Sequence, residues 1–158
     1  MKKTFTIFLI MVLMMSLAAC GGQDDSGTQD KQAGESYTIT DMLGREVEIP
    51  ADVNTIAAVN SAARFITYAG AADKLVGVTD LDKKGEPGMP YAYVNRESFA
   101  DLASTGSGGS EDTTYAEERV TLAPDLIFAY TSDTAALDEL SRQTGIPVVG
   151  LYATDMFA

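Results

Sequence analysis

Four short, strongly apolar runs separated by stretches with helical periodicity most constrain how this chain can fold. The runs span residues 56–59, 75–79, 126–129 and 148–151. Strands that alternate with helices pair in parallel, and the sheet they form needs helices on both of its faces. The chain is therefore expected to have an α/β fold with a mostly parallel sheet.

Capping and turn signals predict a helix between the first two runs. Ser61 is a suitable N-cap, and Gly70 supplies a stop at the other end. Phe65, Ile66 and Ala69 share one face at helical spacing, so we expect them to point inward.

Two further helices are expected in the second half of the chain. Residues 114–123 form one, which ends where Pro124 follows. Residues 134–144 form the other, with Gly145 as its C-terminal cap. Its inward side chains are expected to be Ala136, Leu137 and Leu140.

Two segments lie outside this alternation. Residues 37–40 and 46–49 alternate apolar and polar side chains, which predicts a β-hairpin that Pro50 ends. Residues 80–109 are rich in Gly, Pro and Tyr and have no convincing periodicity. We expect this segment to be a long loop, and such loops are usually functional or mobile.

The first twenty residues have the pattern of a secretory signal. An apolar run over residues 5–17 follows two lysines and is shorter than the roughly 20 residues that cross a bilayer. Residues 17–20, Leu-Ala-Ala-Cys, match the bacterial lipobox, so residues 1–19 are expected to be removed and Cys20 to carry the acyl chains. Cys20 is the chain's sole cysteine. The alternative is an ordinary signal peptide with an incidental cysteine.

Composition then restricts the partners. Residues 20–36 are almost entirely polar and predict a flexible, acylated tether. Removal of residues 1–19 leaves 9 basic residues against 23 acidic ones, a net charge of −14. Nucleic acid is thereby excluded as a partner, since its binding needs a basic surface. Attachment to the cell membrane, outside the cytoplasm, would rest on the lipid anchor.

Loops at the carboxyl ends of parallel strands are where such folds bind ligands. The candidate loops contain Asn60 with Ser61, residues 90–96, residues 106–109 and residues 130–133. Arg64 lies in the first turn of the predicted helix after Ser61, where an anion is favoured. Plain helix capping explains Asn60 and Ser61 equally well.

Four segments carry a resemblance to a known family. They are TDMLGREVEIP over residues 40–50, ADKLVGV over 72–78, APDLI over 123–127 and TGIPVV over 144–149. In this order they resemble the iron-chelate and cobalamin family of periplasmic substrate-binding proteins of ABC importers. The resemblance implies a two-lobed clamshell, of which residues 37–158 would be the N-terminal lobe. On this resemblance the second lobe is expected to be missing from residues 1–158, whether because they are a fragment, because the gene is truncated, or because one lobe acts with another chain.

The resemblance also implies site residues and partners. Glu117 matches the glutamate that docks on the permease, which works with an ATPase, although Arg119 stands where the family usually has an aliphatic residue. The alternative for Glu117 is a solvated helix face. Tyr91 and Tyr93 resemble part of a loop in relatives that handle iron chelates or oxyanions. Independently of the resemblance, ligand contact is expected for Ser107, which lies among the glycines of residues 106–109, and for the hydroxyl groups that follow the third apolar run, Tyr130, Thr131 and Ser132. The alternatives are ordinary turns and, for Tyr130, a lid on the core.

The absence of histidine narrows the cargo. Zinc sites commonly use imidazole or thiolate ligands, so direct capture of zinc is disfavoured and no resident metal or cofactor is expected. An iron complex such as a siderophore is the first choice, with cobalamin, haem or an oxyanion as lesser options.

Two other function classes compete with transport. An enzyme is disfavoured because neither a histidine-based triad nor a thiol nucleophile can be built once Cys20 is acylated. A lipid-anchored cell-surface module that binds another protein remains the alternative to transport.

Overall fold

The computed structural model describes residues 35–109 and 115–152. The predicted signal peptide, Cys20 and most of the predicted tether lie outside the described residues. Among the helices of the described part, none is long and apolar enough to cross a membrane.

The chain begins with the predicted hairpin. Strands β1 (Ser36–Thr40) and β2 (Glu46–Pro50) pair antiparallel, with Tyr37 opposite Ile49 and Ile39 opposite Val47. Val47 and Ile49 are buried, while Glu46 and Glu48 are exposed. The alternation that predicted the hairpin therefore separates a packed face from a solvated one.

The main sheet has five strands, all parallel, in the order β5-β4-β3-β6-β7. This confirms the predicted parallel sheet, and adds the short edge strand β5 to the four predicted ones. The strands are β3 (Ile56–Val59), β4 (Leu75–Val78), β5 (Ala103–Ser104), β6 (Leu126–Tyr130) and β7 (Val148–Leu151).

Helices connect these strands and cover both faces of the sheet. A 3-10 turn over Ala72–Lys74 leads into β4. The helices are α1 (Ala62–Tyr68), α2 (Asp80–Lys84), α3 (Pro90–Val94), α4 (Arg96–Ala100), α5 (Ala116–Leu122) and α6 (Thr134–Thr144).

Strand β3 shows how the two faces are divided. Ile56 and Ala58 pack with α1, α3 and α4 on one side, whereas Ala57 and Val59 pack with Leu137 of α6 on the other. All four β3 side chains are buried, which is why the run is apolar throughout. On the face of the sheet that α1 covers, the hairpin packs against Leu126 of β6 and Val149 of β7.

The expectation of a long loop over residues 80–109 is wrong. Three helices and strand β5 occupy it. Each of the three helices has only five residues, too few for a 3.6-residue period to be visible. Local signals were present, since Thr79 and Asp82 form a capping box at α2 and Pro90 is the first residue of α3.

Some predicted inward residues are also wrong. Helix α1 ends at Tyr68, so Ala69 lies beyond it and is exposed, and Phe65 is half-buried. Ala136 is exposed because it lies in the first turn of α6, where its N–H donates to the N-cap carboxylate of Asp133. Ile66 and Leu137 are buried as expected. The buried residues of α1 are Ala62, Ala63 and Ile66.

The hairpin turn is joined to the outer edge of β7. The side chain of Asp41 is fully buried and accepts hydrogen bonds from the backbone N–H groups of Leu43, Arg45 and Gly150 at 2.9–3.1 Å. The Met42 N–H donates to the Gly150 carbonyl at 3.3 Å. Turn and edge strand thus satisfy each other's backbone groups, which protects the edge from pairing with another chain.

Candidate functional site

The chain reverses from β3 into α1 at Asn60, whose φ of +57° is in the left-handed region. Asparagine tolerates that region better than most residues. Its Nδ2 donates to the Tyr130 carbonyl at 3.1 Å, which ties together the carboxyl ends of β3 and β6. The Asn60 Oδ1 is buried and accepts no hydrogen bond from the described residues, so one polar atom at this edge lacks a donor.

Ser61 occupies the predicted N-cap position, but its side chain makes no capping hydrogen bond. Helix α1 has only seven residues. The helix terminus therefore adds little to anion binding, and the side chains around it matter more.

A cavity of about 270 Å³ opens at this edge of the sheet. It brings together four of the predicted site residues, Asn60, Ser61, Arg64 and Tyr91. The other residues that line it are Tyr68, Thr79, Leu81, Asp82, Gly88, Met89, Pro90 and Gly109.

The Tyr91 hydroxyl donates to Asp82 Oδ1 at 2.7 Å inside this cavity wall. The Thr79 hydroxyl donates to the other oxygen, Oδ2, also at 2.7 Å. The pKa of Tyr91 is raised well above its usual range. Burial is the largest cause, followed by the hydrogen bond to Asp82 and the negative charge of that carboxylate. Tyr91 therefore stays a neutral phenol whose hydroxyl is already engaged by Asp82.

Arg64 is held by aromatic rings rather than by a carboxylate. Its Cζ lies 4.9 Å from the ring centroid of Phe65 and 5.8 Å from that of Tyr130. The two rings are stacked on each other with centroids 5.3 Å apart. Such cation–π contacts position a guanidinium and leave its N–H donors available.

The three residues predicted from the end of β6 do not act together. The ring of Tyr130 packs between Phe65 and Tyr152, next to Arg64. Thr131 lines a different cavity, of about 260 Å³, and its Oγ1 accepts from the Asp133 N–H. Ser132 is exposed in the turn and lines neither of these two cavities.

Tyr93 and Ser107 also lie off the main cavity. The Tyr93 side chain is exposed and its ring lies 4.8 Å from the Cζ of Arg96. Ser107 is half-buried, and its carbonyl accepts from the Leu81 N–H at 3.2 Å. The nearby Gly108 has a φ of +73°, and a Cβ there would lie 2.6 Å from the Thr79 hydroxyl oxygen, so a glycine is required at this close approach.

Helix α5 carries the predicted docking residue. Glu117 lies in its first turn and is exposed. Arg119 is 1 % exposed, and its Nε and Nη2 donate to the Thr105 carbonyl at 3.0 and 2.7 Å. The position at which the resemblance expects an aliphatic residue thus points into the protein, and hydrogen bonds to the backbone accommodate the charged head.

Asp82 and Thr79, which organise the cavity wall, were not among the predicted site residues. Their signal is the Thr-x-x-Asp spacing after β4, which predicts a capping box. Within residues 35–109 and 115–152 no cluster of three or more His, Cys, Asp or Glu side chains could hold a metal ion.

No family model matches the chain, and no curated protein matches it in sequence. Solved structures do match. A periplasmic solute-binding protein from Veillonella parvula is 23% identical with a TM-score of 0.61, and the match covers 75% of this chain and 36% of that one.

Two further structures give similar values. CeuE from Helicobacter pylori, described as a Ni-His complex, is 18% identical with a TM-score of 0.59, covering 75% of this chain and 37% of that one. MolA from Haemophilus influenzae, bound to molybdate, is 23% identical with a TM-score of 0.58, covering 73% and 34%.

These matches bear on the fold. The described part of the chain has the fold of one lobe of the periplasmic solute-binding proteins of ABC transporters, which confirms the predicted likeness at this level. The chain spans little more than a third of the length of these structures.

Proposed function

We propose that this chain is the cargo-binding N-terminal lobe of a lipid-anchored substrate-binding protein that delivers its cargo to an ABC permease and its ATPase. The observation that carries the proposal is the cavity at the carboxyl edge of the sheet. A half-buried arginine lines it together with Asn60, whose buried side-chain oxygen accepts no hydrogen bond from the described residues, in a lobe whose fold matches solute-binding proteins. Binding rather than catalysis is proposed as its activity.

The size of the cavity supports a shared site. At about 270 Å³ it is smaller than the ~300–1,000 Å³ typical of sites that enclose a small molecule. A second lobe facing Arg64 and Tyr91 would cover the open side. We therefore propose that the cargo is held between two lobes.

The proposed cargo is an iron complex of the siderophore type, captured whole. The chain has no histidine, and its described residues contain no cluster of metal ligands. The polar groups of the cavity suit the outside of a chelate better than a bare ion. The lesser candidates are an oxyanion, haem and cobalamin. Molybdate, which is bound to MolA, is an example of an oxyanion.

Native mass spectrometry of the full-length gene product from its source cells tests this proposal. We expect a mass increment equal to a ferric chelate, which is lost when the iron is reduced and removed. The protein is purified from cells starved of iron and from cells supplied with it. If it carries no small molecule in either case and instead co-purifies with another protein, the surface-interaction alternative is favoured.

The lipid anchor is proposed from the sequence around Cys20. Cys20→Ala should release the protein from the membrane fraction, because a diacylglyceryl group and an amide-linked acyl chain each contribute about 0.8 kcal/mol per buried CH₂. Fractionation with an antibody measures this, and Ser26→Ala in the same polar segment is the control. Equal membrane retention of the Cys20→Ala protein would contradict the anchor.

Glu117 is proposed as the residue that contacts the permease. Its carboxylate is exposed at the start of α5, where a basic pocket on a partner could receive it. Glu117→Lys should lower cargo-dependent ATPase activity of the reconstituted transporter about tenfold or more, since like charges across an interface are unfavourable. Glu118→Lys makes the same charge change in the same turn. If the two variants lowered the ATPase activity equally, the loss would reflect the change in net charge and not a specific contact of Glu117.

A further inference from the structure

We propose that Arg64 makes this lobe selective for anionic chelates, by donating its guanidinium N–H groups to carboxylate or catecholate oxygens on the cargo. This inference rests on the proposed function and deepens it, because it names the charge class of the cargo and the residue that selects it.

Arg64 differs from every other arginine in the described part of the chain. Arg45 and Arg142 pair with Asp138 and Glu139, and Arg96 lies 3.7 Å from Glu97. The buried Arg119 donates to a backbone carbonyl. Within these same residues, Arg64 alone has neither an ion pair nor a hydrogen-bond acceptor, although the chain carries 23 acidic residues.

The nearby carboxylate of Asp82 makes no ion pair with Arg64. Asp82 lines the same cavity and is 2 % exposed. Its Oδ1 accepts from the Tyr91 hydroxyl and its Oδ2 from the hydroxyl and N–H of Thr79. These donors fix the carboxylate in the cavity wall, and within the described residues no ion pair joins it to Arg64, whose N–H groups remain available to a ligand.

The aromatic stack holds the guanidinium in place. Arg64 lies over Phe65 and near Tyr130, and the rings themselves are stacked at an interplanar angle of 17°. A side chain positioned in this way loses less conformational freedom when it binds. The planar fork of arginine matches two oxygens of one anionic group, whereas a neutral complex offers it only dipoles.

The test compares two ferric complexes that differ in charge. The mature chain with Cys20→Ala is titrated with an anionic ferric tris-catecholate and with a neutral ferric tris-hydroxamate. Binding is followed by quenching of tyrosine emission, which is suitable because the chain has seven tyrosines and no tryptophan. We expect the anionic complex to bind at least about tenfold more tightly, and its affinity to fall with added salt.

Arg64→Gln should weaken binding of the anionic complex by about 10- to 100-fold and leave the neutral complex nearly unchanged. Arg96→Gln is the matched control, since it removes an equal charge that also lies over a tyrosine ring, away from the cavity. It should bind both complexes like the parent. Circular dichroism checks that each variant is folded, and Arg64→Lys, which keeps the charge without the fork, should lose part of the preference.

The outcomes separate this inference from the proposed function. Equal affinities for the two complexes in the parent, unaltered in both Arg64 variants, would overturn the charge selectivity while chelate capture stood. Equal losses for both complexes in Arg64→Gln would likewise overturn it, because they would indicate a structural role. A parent chain that binds neither complex, while a neutral or cationic cargo co-purifies from cells, would also overturn it.

Discussion

Asp41 offers a direct test of how the hairpin is held against the main sheet. Its buried carboxylate accepts three backbone N–H groups, from Leu43, Arg45 and Gly150, and it pairs with the Arg45 guanidinium at 3.0 Å. Asp41→Ala removes the acceptor from all of these donors at once. At about 1 kcal/mol for each N–H left unpaired, the free energy of unfolding should fall by about 3 kcal/mol.

Two further variants divide this loss into its parts. Asp41→Asn keeps one acceptor oxygen but loses the charge, so it should cost about 1–2 kcal/mol. Asp138→Ala removes the other carboxylate partner of Arg45. The Asp138 side chain is 70% exposed. Exposed ion pairs contribute little, so this control should change the free energy of unfolding by less than about 1 kcal/mol.

Urea unfolding of the lipid-free chain, followed by circular dichroism at 222 nm, measures these differences as shifts in the midpoint at a constant slope. The expected order of stability is parent, Asp138→Ala, Asp41→Asn, Asp41→Ala. If Asp41→Ala lost no more stability than Asp138→Ala, the turn would not be held by the buried carboxylate, and the physical account of this junction would be wrong.

Two other predictions concern buried polar groups. The pKa of Tyr91 is raised in the folded state, so its neutral form contributes stability that is present below the ordinary tyrosine pKa of about 10 and is lost as the pH rises above it. Tyr91→Phe should therefore show a smaller fall in the urea midpoint of unfolding than the parent between about pH 9 and about pH 11. A fall as large as that of the parent would contradict the prediction. Arg119→Met keeps a long side chain but removes two donors from the Thr105 carbonyl, so the free energy of unfolding measured in urea should fall by about 1–3 kcal/mol. A gain in stability would instead mean that the cost of burying the charge outweighs its hydrogen bonds.

Sequence patterns predicted the elements whose signals extend over many residues. The apolar runs at β3, β4, β6 and β7 needed no context, because a strand buried on both faces must be apolar throughout. The hairpin followed from alternation in the same way. The three five-residue helices of residues 80–109 were missed because periodicity cannot be read from so few positions.

The candidate site was predicted only in part, since its members come from distant stretches of chain. Asn60, Ser61 and Arg64 follow β3 directly and were expected at the carboxyl edge. Tyr91 joins them because α3 packs on α1, whereas Tyr93 of the same helix faces away. No local pattern distinguishes two tyrosines that lie two positions apart on so short a helix.

The amino-acid sequence by itself determined that this chain forms a parallel α/β sheet with an antiparallel hairpin, because strand burial, helix stops and turns depend on neighbouring residues. Only the tertiary structure decided that Asp82 would accept hydrogen bonds from two hydroxyl groups, and that Arg64, which has no ion pair within the described residues, would lie over two rings. Those outcomes depend on strand order and on how short helices pack across the sheet, which are long-range contacts that local patterns do not encode.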